Sequence, residues 1–146
     1  MNSTDFAGFL APQKYYVVFG ISLSKTKIGN IVLKHLQKSG YSAAGINPKA
    51  TGGNGVYGSL KELPRKPDAA IIAVSPGNAL GVVAECASAG IKELWMQPGT
   101  VNQEVSRAID NSQLSALMGR CLLLYLRSAA FPHNLHRGIL NIFGRL

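Results

Sequence analysis

Short runs of unbroken apolar residues alternate along this chain with longer stretches whose apolar positions recur every three or four residues. Tyr15–Phe19 (YYVVF) is the first run, and its lack of alternation suits a strand covered on both faces of a parallel sheet. Gly20 ends it. A helix is predicted from about Lys27 to Ser39, with Ile28, Ile31, Val32 and Leu36 on one side and Gly40 as its C-cap. Tyr41–Ile46 reads as the second strand and stops at Asn47-Pro48-Lys49, before a glycine-rich loop (ATGGNGVYG) and a short helix around Ser59–Leu63. Ala69–Val74 is the third strand. Pro76 suits the first turn of the helix over Gly77–Ala89, where its missing N–H is not needed. That helix is predicted to bury Leu80, Val83, Ala84 and Ala87, with Cys86 as a small core residue. Lys92–Met96, a helix over Val101–Asn111 with Val105 and Ile109 facing in, and Leu114–Met118 complete the alternation.

Strands alternating with helices through short turns predict an α/β fold: one Rossmann-like domain with a parallel sheet of about five strands and helices on both faces. Right-handed crossovers then bring every strand C-terminus to one edge, where ligands bind in such sheets. The domain is expected to span 15–121. Residues 1–14 form a lead-in in which Phe6, Phe9 and Leu10 can pack as a helical turn. Cys121–Ala130 and His133–Leu146 have helical apolar patterns, so 122–146 reads as an extension covering the domain or a partner subunit.

Composition narrows the class. At 146 residues, 47% hydrophobic and 15% charged, the chain can bury a core as one globular domain. Two cysteines are too few for a disulfide framework or a metal cluster. No apolar run approaches a membrane span, and MNSTDFAGFLAP lacks the features of a secretory signal, so a cytoplasmic protein is expected. The net charge of +8 needs a cause. Nucleic acid, a phosphorylated small molecule and plain solvated lysines each account for it. The basic residues are scattered, aromatics are few, and no helix-turn-helix, zinc or RNA-binding pattern occurs, so a nucleic-acid partner is not expected.

Candidate chemistry lies at the strand exits. The first loop, GISLSKTKIG from Gly20 to Gly29, has neither the dinucleotide GxGxxG nor the GxxxxGK[ST] pattern. It still places a glycine turn before a helix N-terminus, which suits phosphate. Ser22, Ser24 and Thr26 offer hydroxyls there, and Lys25 and Lys27 offer charge. The other exits are Asn47-Pro48-Lys49, Val74-Ser75-Pro76, Gln97-Pro98-Gly99 and Gly119-Arg120-Cys121. All are rich in glycine, proline, small polar or basic residues, as backbone-mediated binding of a flat phosphorylated ligand requires. A site for NAD usually carries a carboxylate after the second strand to hold the ribose diol. Here that place has Asn47 and Lys49, which favours a ribose phosphate. Cys121 follows Arg120, and a neighbouring cation favours the thiolate. His133 and His136 have no Cys, Asp or Glu near enough in sequence to complete a metal site, and no catalytic constellation stands out.

From Tyr15 to Cys121 the chain resembles the CoA-binding domain proteins, relatives of the N-terminal domain of succinyl-CoA synthetase alpha subunits. The resemblance rests on the turn at Gly20–Ser22, Gly29, the GY…INPK stretch from Gly40 to Lys49, VYGSLKELP from Val56 to Pro64, the third strand with VSP, and GIKELWMQPG from Gly90 to Gly99. It implies a Rossmann-like fold binding coenzyme A or an acyl-CoA across the strand C-termini, and the missing catalytic constellation leads to the expectation of no autonomous catalysis. By position it implies that the Gly20–Lys25 loop grips the pyrophosphate and that Asn47, Pro48 and Lys49 flank the adenosine and its 3′-phosphate. Val74, Ser75 and Pro76 would border the nucleotide groove, and Gln97 and Gly99 would lie toward the pantetheine arm. Cys121 could then form a mixed disulfide with the CoA thiol. NADP is the alternative ligand; a second copy of the chain or an acyl-CoA enzyme is the expected protein partner.

Overall fold

The computed structural model describes residue 6 and residues 8–23, 27–50 and 52–126. Six parallel strands lie in the order β3-β2-β1-β4-β5-β6. They are β1 (Tyr15–Phe19), β2 (Ser42–Ile46), β3 (Val56–Tyr57), β4 (Ala69–Ile72), β5 (Glu93–Met96) and β6 (Ser115–Leu117). Three helices connect them: α1 (Ile28–Lys38) after β1, α2 (Pro76–Ser88) after β4 and α3 (Gln103–Asp110) after β5. This is the Rossmann-like α/β sheet expected, with one more strand than predicted. The addition is β3, two half-buried residues inside the glycine-rich loop. It is too short to carry a hydrophobic pattern, and it is held by its pairing with Gly45 and Ile46 of β2.

Neighbouring residues of each central strand point into opposite layers. Tyr16, Val18, Ala69 and Ile71 enter one core with Val32, Leu33 and Leu36 of α1. Val17, Phe19, Ala70 and Ile72 enter the other with Val83 of α2 and Val105 and Ile109 of α3. The face under α1 is completed by two segments from outside the strand–helix repeat. Phe6, Gly8 and Phe9 are helical, and Phe6 and Phe9 are buried against Trp95. Leu122, Leu123 and Leu126 close the same face from the other end of the described chain.

Two expectations need correction. In α2 the buried stripe is Ala79, Val83 and Cys86, while Ala84 and Ala87 are exposed and Leu80 is half-buried. Apolar residues surround most of this helix, so periodicity alone does not choose the face that meets the sheet. After Cys121 the chain makes a 3-10 turn over Leu122–Tyr125 instead of an α-helix. Leu122, Leu123 and Leu126 all reach the same core from this turn. The helical readings over 127–146 fall outside the described residues.

Candidate functional site

Strand order reverses direction between β1 and β4. The helix after β1 covers one face of the sheet and the helix after β4 the other, which opens a crevice at the C-terminal edge. Gly20 forms the turn out of β1 at φ +105°, and a Cβ there would collide with the Ala73 carbonyl oxygen. Gly29, in the first turn of α1, would likewise drive a Cβ into the Gly20 carbonyl. Turn and helix start are therefore pressed together, and only glycine permits it at either position. Asn30 then pins the loop back onto α1: its Oδ1 accepts from the Ser22 N–H at 2.8 Å and its Nδ2 donates to the Ser22 carbonyl at 2.9 Å.

The helix ends facing the crevice differ from the others. Lys27 is the N-cap of α1, makes no side-chain cap, and no acid lies in the first turn. Ser75 at the start of α2 also leaves the backbone without a side-chain cap, and that first turn too has no acid. By contrast, Asn102 caps α3 by accepting from the Val105 N–H, and Ser59 with Glu62 forms a capping box on the turn after β3. The positive ends of α1 and α2 are thus left for an anion.

A groove of about 580 Å³ occupies the crevice. Phe19, Gly20 and Ile21 line it from β1, Ile46 and Pro48 from β2, Gly58 from beyond β3, and Val74 from β4. Its remaining wall is one face of α2, made of Asn78, Gly81, Val82 and Glu85. A Cβ on Gly81 would meet nothing within 4 Å, so this glycine faces open space. A smaller pocket of about 190 Å³ adjoins at Ile21 and takes in Ser22, Asn30, Asn47 and the glycine-rich loop at Gly52 and Gly53.

Of the residues singled out in the sequence, Gly20, Pro48 and Val74 line the large groove and Ser22 and Asn47 the small pocket. Asn47 is buried, and its Oδ1 accepts from the Lys49 N–H at 2.9 Å, which sets the turn that carries Lys49. Lys49 itself is exposed and, although Pro48 and Asn47 line the cavities, lines neither. Ser75 and Pro76 start α2, with the Ser75 hydroxyl accepting from Asn78 Nδ2 at 3.2 Å. Ser24 and Lys25 lie outside the described residues, as do Thr26, His133 and His136.

Gln97, Gly99 and Cys121 line neither cavity. Gly99 is exposed in the turn after β5. Gln97 is buried and its amide is used internally, the Oε1 accepting from the Leu122 N–H at 2.8 Å and the Nε2 donating to Cys121 Sγ at 3.4 Å. It ties two strand exits together, so its amide is engaged within the fold at the place expected to lie toward a ligand arm. Cys121 is also buried, and burial raises its thiol pKa; the Gln97 amide and the Leu123 and Leu124 N–H groups act in the opposite direction. The Arg120 guanidinium turns away, bonding the Tyr125 hydroxyl and lying 4.8 Å from the Phe6 ring centre. Arg120 therefore does not face the Cys121 thiol, which is buried.

Asn30 and the α2 wall were not anticipated. The wall has a signal in retrospect, since positions 78, 81, 82 and 85 share one helix face with a glycine in mid-helix. Among the described residues no three His, Cys, Asp or Glu side chains could hold a metal ion, and no helix is long and apolar enough to cross a membrane.

Residues 14–127 match the family described as a CoA binding domain. This chain belongs to that family. The CoA-binding domain is similar in structure to a conserved hypothetical protein from Pyrococcus furiosus, with a TM-score of 0.69 and 33% identity over 76% of this chain and 97% of that one. A hypothetical protein from Pyrococcus horikoshii OT3 has a TM-score of 0.76 and 28% identity, over 86% and 89% of the two chains. An acetyl-coenzyme A synthetase from Ca. Korarchaeum cryptofilum, in complex with phosphate and ADP, gives 0.62 and 27% over 73% of this chain. The CoA-binding domain corresponds to only 25% of that synthetase chain.

Proposed function

We propose that this protein binds coenzyme A or an acyl-CoA across the exits of β1, β2 and β4 and does not catalyse a reaction by itself. The observation that carries the reading is the groove at the sheet's switch point in a chain of the CoA-binding family. Its residues fit the ligand. About 580 Å³ lies within the usual range of small-molecule sites, the floor is glycine and apolar side chain, and two uncapped helix starts face it. Coenzyme A would supply a thiol on a long arm, while this chain's residues would hold the nucleotide. Pyrophosphate would meet the Gly20 turn and the start of α1. A 3′-phosphate would meet Lys49, where NAD offers only a hydroxyl.

Titrations of wild type and Lys49→Ala with CoA and 3′-dephospho-CoA test the reading. A charge-assisted phosphate contact contributes about 1.5–3 kcal/mol, and exposure of Lys49 trims this toward a tenfold preference for CoA. Lys49→Ala should lose most of the preference and keep its affinity for dephospho-CoA. Tighter binding of NADPH than of CoA would overturn the assignment. The absence of catalysis rests on the groove lining, which offers a single titratable side chain, Glu85. Sustained acyl-CoA turnover by the isolated chain would refute it. The synthetase, in which such a domain is a quarter of a larger chain, supports an acyl-CoA enzyme as partner.

A further inference from the structure

We infer that Glu85 is a specificity residue that reads the base of the bound nucleotide, accepting a hydrogen bond from the 6-amino group of adenine. The inference rests on the CoA-binding reading and adds the direction in which the nucleotide lies. The large groove is two-sided in character. Ile46, Pro48, Val74 and Val82 make apolar walls suited to the faces of a flat heteroaromatic ring, and its polar side chains, Asn78 and Glu85, both come from α2. At 1.5 Å per residue these two are about 10 Å apart along the helix. Asn78 lies in the first turn, beside the strand exits and the helix ends that attract anions, and bonds Ser75. Glu85 lies two turns further down the wall.

A carboxylate at that end repels phosphate and rewards an N–H donor, so the phosphates lie toward Gly20 and the base toward Glu85. Among the described residues no Lys or Arg forms an ion pair with Glu85; the pairs present are Lys14–Glu93 and Arg65–Asp68. Its carboxylate is therefore not neutralised by a described cation. Gly81, one turn before it, leaves the space a base needs, because its missing Cβ would project into the open groove. Adenine presents an amino group at position 6. Hypoxanthine presents an oxo group there, whose lone pairs oppose a carboxylate.

The test uses CoA and its hypoxanthine analogue, in which the 6-amino group is replaced by oxygen, with wild type, Glu85→Gln and Glu85→Ala. Glu85 is exposed on its helix, so both variants should fold, which circular dichroism checks. Wild type should prefer CoA by about tenfold, the effect of one charge-assisted hydrogen bond in a partly open site. Glu85→Gln should reduce the preference to within about twofold, because its amide can turn to donate to the oxo group. Glu85→Ala should also reduce it, by removing both the acceptor and the repulsion. Equal affinity of wild type for the two ligands overturns this inference alone and places another part of CoA in the groove. A preference that survives in both variants overturns it too. Failure of wild type to bind CoA at all overturns the CoA reading together with it.

Discussion

Cys86 and Cys121 are both buried, so neither thiol meets solvent in the folded chain. Cys86 is the more extreme. Burial, with Glu85 adding to the effect, pushes its pKa from 9.0 up to about 12. A thiol raised in this way keeps its proton in the folded state at a pH where the unfolded chain has lost it. Its contribution to stability is thus complete below pH 9 and drains away as pH rises toward about 12. The slope is up to about 1.4 kcal/mol per pH unit. Urea denaturation at about pH 8 and at about pH 10.5 should show a smaller loss for Cys86→Ala than for wild type. Part of the loss should remain, because Tyr16, also raised to about 12 chiefly by burial, titrates in the same direction. Equal losses in the two proteins would refute the assignment. Chain adjacency misleads for Cys121 because it does not fix side-chain direction. Arg120 is its neighbour in sequence, yet the guanidinium is committed to Tyr125 and Phe6. Gln97 misleads for a related reason: a polar residue at a strand exit looks available to a ligand until both ends of its amide are seen to be used.

At the scale of elements, the start of α1 sets stability against binding. Lys27 has the extended backbone of an N-cap, φ −75° and ψ 154°, but a side chain that cannot accept a hydrogen bond. Lys27→Asp should cap the helix and complement its dipole, raising stability by about 0.5–1 kcal/mol. The same change places a carboxylate where the pyrophosphate is proposed to sit, and should weaken CoA binding by about tenfold or more. Thermal melts and calorimetry on one preparation decide it; tighter binding by the variant would contradict a phosphate at this end. Elements with a single face to satisfy are legible in sequence. The central strands are continuous apolar runs, and α3 shows its face through Val105 and Ile109. α2 meets the sheet with one side and lines the groove with another, so its apolar residues surround it and no single period describes them. The site shares that division. Strand ends such as Gly20, Pro48 and Val74 are delivered to the edge by the topology and can be anticipated. The helix wall at 78, 81, 82 and 85 leaves only a shared face with a mid-helix glycine in the sequence, and that this face meets the groove depends on how the helix crosses the sheet.

Across the whole molecule, the two sheet faces are covered by different means. α2 and α3 cover one; α1 covers the other with help from the segments at Phe6–Phe9 and Leu122–Leu126. These segments meet around Trp95, which lies 5.2 Å from the Phe6 ring and 5.3 Å from both Phe9 and Tyr125 between ring centres. As the one tryptophan in the chain, it reports on both. Phe6→Ala should shift its emission to the red and cost at most about 3 kcal/mol, since an end segment can undock instead of leaving a full cavity. An unchanged spectrum and denaturation midpoint would show that Phe6 does not seal this face. The arrangement also has a consequence for how the chain is made. Phe6 is translated well before Tyr125, which stacks on it at 5.9 Å. At about 5–20 residues per second a ribosome needs several seconds to join the two. Through that interval the segment at Phe6 has no complete seat, and the indole side of the sheet stays open until Tyr125 has been made.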